Sequence, residues 1–382
     1  GKLADYLCMQ DFLLYQHTRV TYLPTGEAYL EDLLDKAEHA ERFIFLEYYI
    51  MAEGQIWDRL TDIFRRKAAA GVEIKVIFDD FGNIKRFSGE TIDRLREVGV
   101  EVFIFNPVHE YVNRLHFNYR DHRKIACIDG DVAYTGGVNI ADEYANLIER
   151  FGYWKDSGVC LEGEGAWGLT ASFIRMCVNL GGVMHNEHDY YRPHTPVKSE
   201  GFCQPFTDGP QNNPDNPAED VFLQMISGAR RFLYITTPYF IPDESLMRAL
   251  CIAGDGGVDV RLMLPGKPDH WYADCVAESY FGELIKHGVK VYRYTPGFLH
   301  GKSIMVDREA AFVGSANMDY RSFELDYECG VMVYSAPMIE SLLEDMDMIV
   351  DRSHLVTAEE WAKRSVLRRV FEPLLRLFAI WM

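Results

Sequence analysis

The chain has 382 residues, 48% hydrophobic and 25% charged, a globular composition that excludes a disordered, collagen-like or coiled-coil protein and leaves room for two to three domains. Its formal net charge of −19 argues against a broad nucleic-acid surface, which needs a basic stripe, but not against a local basic pocket for one phosphate. No apolar run reaches the roughly 18–20 residues of a membrane span, and the N-terminus lacks a charged head followed by an apolar stretch, so the chain reads as soluble or peripheral.

An N-terminal segment (1–20) comes first. Apolar spacing then predicts a helix over 26–40, a strand over 43–50, a helix over 55–70 and a strand over 73–78. Residues 196–216 are rich in Pro, Asn, Asp and Gly, and this turn chemistry predicts a linker. Beyond it the series recurs: helix over 217–228, strand over 232–240, helix over 244–253, strand over 259–264. The sequences echo as well. Arg42-Phe43-Ile44-Phe45-Leu46 resembles Arg231-Phe232-Leu233-Tyr234-Ile235, and Gly99-Val100-Glu101-Val102 resembles Gly288-Val289-Lys290-Val291. One unit of just under 200 residues therefore occurs twice, with extra residues in the first copy around 108–119. The expected fold class is α/β: two similar halves (21–195 and 217–358), each a mixed sheet covered by helices. The eight cysteines form no CxxC pair and read as mostly buried, reduced thiols, which fits a cytoplasmic compartment and makes a zinc site unlikely.

The chemistry sits in a motif that occurs once per half. His122-x-Lys124-x4-Asp129 is matched by His300-x-Lys302-x4-Asp307. Each is followed by small residues ending in Asn: Gly136-Gly137-Val138-Asn139 and Gly314-Ser315-Ala316-Asn317. His and Lys two apart on a strand point to one face, so an imidazole and an ammonium share a pocket. Gly137 and Ser315 allow close backbone approach, and the amides of Asn139 and Asn317 can donate to an oxygen. Two such sets facing each other supply a nucleophile, an acid for a leaving group and positive charge for non-bridging oxygens, as a phosphodiester reaction needs. No metal or other cofactor is required. Asp129 and Asp307 complete the catalytic motif, but on the opposite face they fit a brace of the fold better than a substrate contact.

The doubled motif resembles that of the phospholipase D superfamily. More narrowly, the chain is similar to bacterial cardiolipin synthases in Asn118-Tyr119-Arg120-Asp121-His122-Arg123-Lys124, in 133–144, in Thr237-Pro238-Tyr239-Phe240-Ile241-Pro242-Asp243 and in 314–323. The resemblance runs from about Thr21 to the C-terminus. Family members usually carry N-terminal transmembrane helices, and this chain opens at Gly1 without them, either because they were removed or because this member lacks them. The resemblance implies phosphatidyl transfer between two phosphatidylglycerol molecules through a phosphohistidine, with His122 as nucleophile and His300 as acid and base. Lys124, Lys302, Asn139 and Asn317 would hold phosphoryl oxygens, and Asp156 and Glu328 match the superfamily positions that orient the imidazoles.

Transfer rather than hydrolysis requires that water be excluded, and Tyr48, Tyr49, Tyr239, Phe240 and Phe298 are candidates for that lining. His109, His116, His185, His188 and His194 fall outside the motifs and read as solvated or satisfied side chains. Two stretches could meet an anionic bilayer. Residues 359–382 place large apolar side chains at helical steps among Lys363, Arg364, Arg368, Arg369 and Arg376, interrupted by Pro373; 166–183 is a weaker candidate. The expected partners are phosphatidylglycerol and the bacterial cytoplasmic membrane, not nucleic acid. Hydrolysis or headgroup exchange on other phospholipids is the main alternative. A nucleic-acid phosphodiesterase is disfavoured by the charge, and an inactive lipid-binding scaffold by the complete motifs.

Overall fold

A computed structural model describes residues 1–382 except 85, 109–117, 187, 188, 193–195, 213, 214, 365–375 and 377–382. Its centre is two sheets with matching strand order. The first has seven strands, in the order Thr18–Leu23, Gly158–Gly163, Val132–Gly136, Lys124–Ile128, Phe43–Tyr48, Glu73–Asp79 and Glu101–Phe105. In the second, Phe202–Asp208, Asp326–Tyr334, Ala310–Gly314, Ser303–Val306, Phe232–Thr236, Asp259–Pro265 and Lys290–Tyr294 take the same order, and Ser353–Leu355 extends the edge. The expected repeat is thus an α/β fold of two like halves.

Strand Phe43–Tyr48 is buried at every position because both its faces are covered. Ile44, Leu46 and Tyr48 enter a core with Leu30 and Leu33 of helix Gly26–Glu38 and Trp57 and Leu60 of helix Gln55–Ala69. Phe43 and Phe45 face the other way. They join a core shared by both halves, with Phe173, Met263, Met305 and Val331. A third core, around Phe222, Leu250 and Phe281, lies under the outer helices of the second half. The sheets are therefore fused through apolar side chains, and the period-two alternation of each strand decides which core a residue serves.

Two short parallel strand pairs cross between the halves. Arg120–Asp121 pairs with Asp326 and Tyr327, and Tyr153–Lys155 pairs with Gly297–Leu299. Near the second crossing lies a buried polar lock. Asp345, on helix Met338–Asp351, takes the Lys155 ammonium at 2.7 Å and the Tyr22 hydroxyl at 2.7 Å.

The structure corrects several sequence expectations. The expected linker holds strand Phe202–Asp208, paired along its length with Asp326–Tyr334; the true turn begins only after Asp208. The N-terminal segment is not separate: helix Lys2–Met9 buries Leu7 in the core of the second half, and Tyr6 bonds Asp220. Helix Ala166–Asn179 turns its apolar face inward rather than outward, with Leu169, Phe173 and Cys177 buried in the shared core. The strand expected over 232–240 ends at Thr236 and resumes at Phe240–Ile241. Of the C-terminal stretch, helix Ala358–Ala362 packs Trp361 on Phe281, and the Arg376 guanidinium lies 3.6 Å from the Tyr280 ring centre. The rest of that proposed amphipathic helix, and most of the expected insertion, lie outside the described residues. Apart from Cys8 and Cys275 the cysteines are buried, and all eight are unpaired.

Removing one partner of a buried ion pair leaves an uncompensated charge. Asp345→Ala should therefore lower unfolding stability by about 3–5 kcal/mol in chemical denaturation. A loss below about 1 kcal/mol would show that Lys155 does not depend on that carboxylate.

Candidate active site

The crossing strands set the site. His122 immediately follows Arg120–Asp121, and Glu328 immediately follows Tyr327 on the paired strand. His300 follows Leu299, and Asp156 follows Lys155, in the same register. The backbone holds each histidine in place: His122 N–H donates to Tyr327 O at 2.9 Å and His300 N–H to Lys155 O at 2.7 Å. The side chains then meet across the halves. His122 Nδ1 lies 2.9 Å from Glu328 Oε1, and His300 Nδ1 lies 2.6 Å from Asp156 Oδ2. Each half thus lends its carboxylate to the other half's imidazole.

Both histidines line one cavity of about 960 Å³, at the upper end of small-molecule sites and roomy enough for two polar headgroups. Tyr49 meets the His122 ring at 5.1 Å. Tyr144, Trp154 and Phe298 box the His300 ring at 5.5, 5.3 and 5.6 Å. Of the expected aromatic lining, Tyr49 and Tyr239 face the cavity and Phe298 backs His300. Tyr48 is instead a core residue bonded to Tyr29, and Phe240 packs on Tyr280. Among the peripheral histidines only His185 is described; it is exposed and beside Tyr190 rather than on the cavity. His109, His116, His188 and His194 lie outside the described residues.

The lysines are buried behind the histidines. Lys124 Nζ donates to His122 O; Lys302 Nζ donates to His300 O at 2.6 Å and sits 2.9 Å from His300 Nε2. Burial pushes Lys124 down to about 8 and Lys302 to about 7. The same burial, joined by the neighbouring ammoniums, holds His122 well below its ordinary value and His300 at about 4. Both imidazoles are therefore neutral near pH 7. They differ at Nε2: His300 Nε2 is engaged by Lys302, whereas His122 Nε2 has no protein partner among the described residues.

The two orienting acids differ too. Burial raises Glu328 to about 7, with Lys124 opposing. Burial also works against Asp156, but His300 and Lys302 beside it hold it below the ordinary aspartate value.

Four motif residues stand off the cavity. Asp129 accepts the backbone N–H groups of Glu41, Arg42 and Phe43, and Asp307 those of Arg230, Arg231 and Phe232. They brace the strand starts and do not line the cavity. Gly137 and Ser315 do not line it either. A Cβ at Gly137 would stand 2.2 Å from Asp156 Oδ1, and Ser315 Oγ donates to Glu328 Oε2. Both therefore serve the orienting acids. Asn139 lines the cavity, but its Oδ1 takes Ile50 N–H and its Nδ2 donates to the Tyr144 hydroxyl. Asn317 presents a buried Oδ1 with no hydrogen-bond partner.

Sequence reasoning missed the charged walls. Arg321 pairs with Asp326 at 3.3 Å and Arg120 with Asp79 at 3.2 Å. Arg86 and Arg150 both pair with Glu143. Arg120, Glu143 and Arg321 stand inside the motif stretches, but nothing in their spacing marks them; Arg86 and Arg150 come from loops. Among the described residues, His122, Asp326 and Glu328 form one trio whose ligand atoms lie within 4.8 Å of one another and could hold a cation. In this structure Glu328 orients His122 Nδ1.

Comparison with known proteins follows the same lines. The family described as "Cardiolipin synthase, PLD-like domain" matches residues 30–149 and 222–350, once in each half. The chain is 35% identical over 380 residues to cardiolipin synthase 2 of Bacillus anthracis, covering 99% of this chain and 73% of that protein. It is 36% identical to the cardiolipin synthase of Halalkalibacterium halodurans, covering 99% of this chain and 75% of that one. Among solved structures, phosphatidylserine synthase of Haemophilus influenzae superimposes with a TM-score of 0.72 over 98% of this chain and 96% of that one; at 16% identity this speaks for the fold alone.

The opposed environments of the acids predict opposite stability effects. Glu328 keeps its proton above the unfolded value, so the native protein loses stability as pH rises from about 4.5 to about 7. Glu328→Gln should accordingly be more stable than wild type at pH 8, by on the order of 3 kcal/mol, with the gain vanishing near pH 4. The lowered Asp156 contributes stability that is present above about pH 3.8 and lost as pH falls through its folded value. Asp156→Asn should be less stable than wild type at pH 8. Denaturation curves that move both variants the same way would contradict the assignment.

Proposed function

The chain belongs to the cardiolipin synthase, phospholipase D-like domain family, and from that premise we propose that it transfers a phosphatidyl group between two phosphatidylglycerol molecules, giving cardiolipin and glycerol. The observation that carries the reading is the pair of crossed His–carboxylate sets at one cavity, alike in geometry and unlike in state at Nε2.

The unengaged His122 Nε2 is the nucleophile. It attacks the phosphorus of the first lipid while Nδ1–H stays on Glu328, and the bond from phosphorus to the glycerol headgroup breaks. His300, protonated as an anionic phosphodiester enters, gives its Nε2 proton to the departing glycerol oxygen; Asp156 stabilises that imidazolium. In the second step the terminal hydroxyl of another phosphatidylglycerol attacks the phosphohistidine. Its proton goes to His300 Nε2, the phosphorus–nitrogen bond breaks, and cardiolipin leaves. Lys124 and Lys302 supply positive potential from behind the histidines, and the Asn317 side chain, turned to present its amide N–H, donates to a phosphoryl oxygen. Tyr144, Trp154 and Phe298 around His300 favour an alcohol over water as acceptor, since they leave little room for a hydrated base.

The site of action is the surface of the bacterial cytoplasmic membrane. Among the described residues no helix is long and apolar enough to cross a membrane, and the basic, apolar C-terminal stretch is the proposed contact. Each basic residue near an anionic surface adds on the order of 1 kcal/mol, a gain that fades with salt.

Phosphatidylglycerol vesicles as sole substrate should yield cardiolipin and free glycerol in equal amounts. Phosphatidic acid as main product would replace the synthase reading by hydrolysis. His122→Ala should abolish trapping of a phosphoenzyme. His300→Ala should still form it but turn over at least about a hundredfold more slowly; labelling lost only in His300→Ala would reverse the roles.

Truncation after Arg364 spares the packed Trp361. It should weaken vesicle binding and vesicle turnover while affecting a short-chain soluble substrate much less. Equal losses on both would make the tail a brace of the fold.

A further inference from the structure

The second lipid brings a phosphate of its own. In the reading above, the acceptor offers its terminal hydroxyl to His300, and a three-carbon glycerol unit joins that hydroxyl to a phosphodiester that takes no part in the chemistry. That phosphate must rest somewhere on the His300 side of the cavity, separate from the reacting phosphorus between the histidines.

The repeat shows where the cavity walls differ. Counting from the motif asparagines, Glu143 and Arg321 occupy equivalent positions, four residues beyond Asn139 and Asn317. One half has a carboxylate where the other has a guanidinium. On the His122 side, the cavity-lining Arg321 and Arg120 stand with Asp326 and Asp319, and Arg120 is also paired with the buried Asp79, so each guanidinium has a carboxylate of its own. On the His300 side two guanidiniums share one carboxylate. Arg86 Nη1 and Arg150 Nη1 bond the same oxygen, Glu143 Oε1, at 2.6 and 2.9 Å. Glu143 is nearly buried, with its side chain 5% exposed, whereas those of Arg86 and Arg150 are 28% and 44% exposed; all three line the cavity. One recessed carboxylate thus holds two guanidiniums together and leaves a net positive charge on the three, with further N–H donors unspent among the described residues. A pair of guanidiniums is suited to phosphate, which it can grip by parallel N–H···O bonds.

The position follows from the chain. Glu143 precedes Tyr144, and Arg150 lies four residues before Trp154; both of those rings pack on His300. Asn146 ties the loop down, bonding the backbone of Trp154 through both atoms of its amide. Asp269, also on the cavity, gives Oδ2 to the Tyr239 hydroxyl and His270, while its Oδ1 has no hydrogen-bond partner among the described residues.

We propose that Arg86 and Arg150, held by Glu143, bind the phosphodiester of the acceptor phospholipid and so present its terminal hydroxyl to His300. The proposal rests on the synthase reading and deepens it: the acceptor is selected by its phosphate, and an alcohol without one is not.

The test compares two acceptors on one donor. Vesicles of phosphatidylglycerol containing a neutral phospholipid diluent are incubated with labelled glycerol. Cardiolipin reports transfer to a phosphate-bearing acceptor, and label in phosphatidylglycerol reports transfer to a phosphate-free one. In Arg150→Gln and in Arg86→Gln the ratio of cardiolipin formed to glycerol exchanged should fall at least about tenfold, the worth of one hydrogen bond between charged groups. The fall should appear in the apparent KM for phosphatidylglycerol as acceptor. Arg150→Lys, which keeps the charge and loses the fork, should recover part of the ratio. An unchanged ratio in both glutamine variants overturns the proposal, as does Arg150→Lys no better than Arg150→Gln, or equal losses of both products, which would make the cluster a brace. Wild-type enzyme that exchanges glycerol but makes no cardiolipin would instead defeat the synthase reading itself.

Discussion

The active centre depends on the register of two short parallel strand pairs that cross between the halves. A parallel pair fixes which residue stands beside which. Here the next residue on one strand is a histidine and the next on its partner is a carboxylate, at both crossings. The motif, which looks self-contained in each half, is therefore incomplete in each half. An isolated half would hold an imidazole with nothing at Nδ1 and a buried acid with no base. The shared apolar core and the Lys155–Asp345–Tyr22 lock hold the two sheets so that both crossings form together.

A duplicated fold offers a symmetric site, but nucleophile and acid need different properties. The chain separates them by small substitutions at equivalent places. Gly137 gives Asp156 room to approach and Ser315 donates to Glu328. Asp156 stays ionised while Glu328 is raised to about 7. Three aromatic rings enclose His300 and one meets His122. Lys302 engages Nε2 of its histidine, whereas Lys124 reaches only the carbonyl of its own. Each change is local, and none disturbs the strand order that both halves share.

Much of this was legible in the sequence, because the repeat and the period-two strands are local signals. The doubled motif marked His122, Lys124, His300 and Lys302, and the resemblance marked Asp156 and Glu328. That the acids cross between halves was not legible, since strand pairing across a long chain leaves no local trace. The same blindness hid the edge strand Phe202–Asp208 inside turn-rich sequence, because its partner lies more than a hundred residues on. The aspartates of the motif were legible for the opposite reason: their place five residues beyond the lysine puts them on the other face, and Asp129 and Asp307 each accept three backbone N–H groups to start a strand. The arginines of the walls gain meaning only from the cavity they share.

Crossed pairing is the claim on which the rest stands, and histidine NMR tests it most directly. In protein labelled with 15N at histidine, a proton shared with a carboxylate at Nδ1 resonates at low field. The account predicts two such signals in the wild type, with Glu328→Gln abolishing only the one from His122 and Asp156→Asn only the one from His300. Loss of the His122 signal in Asp156→Asn, with that of His300 retained, would mean that each half completes its own site.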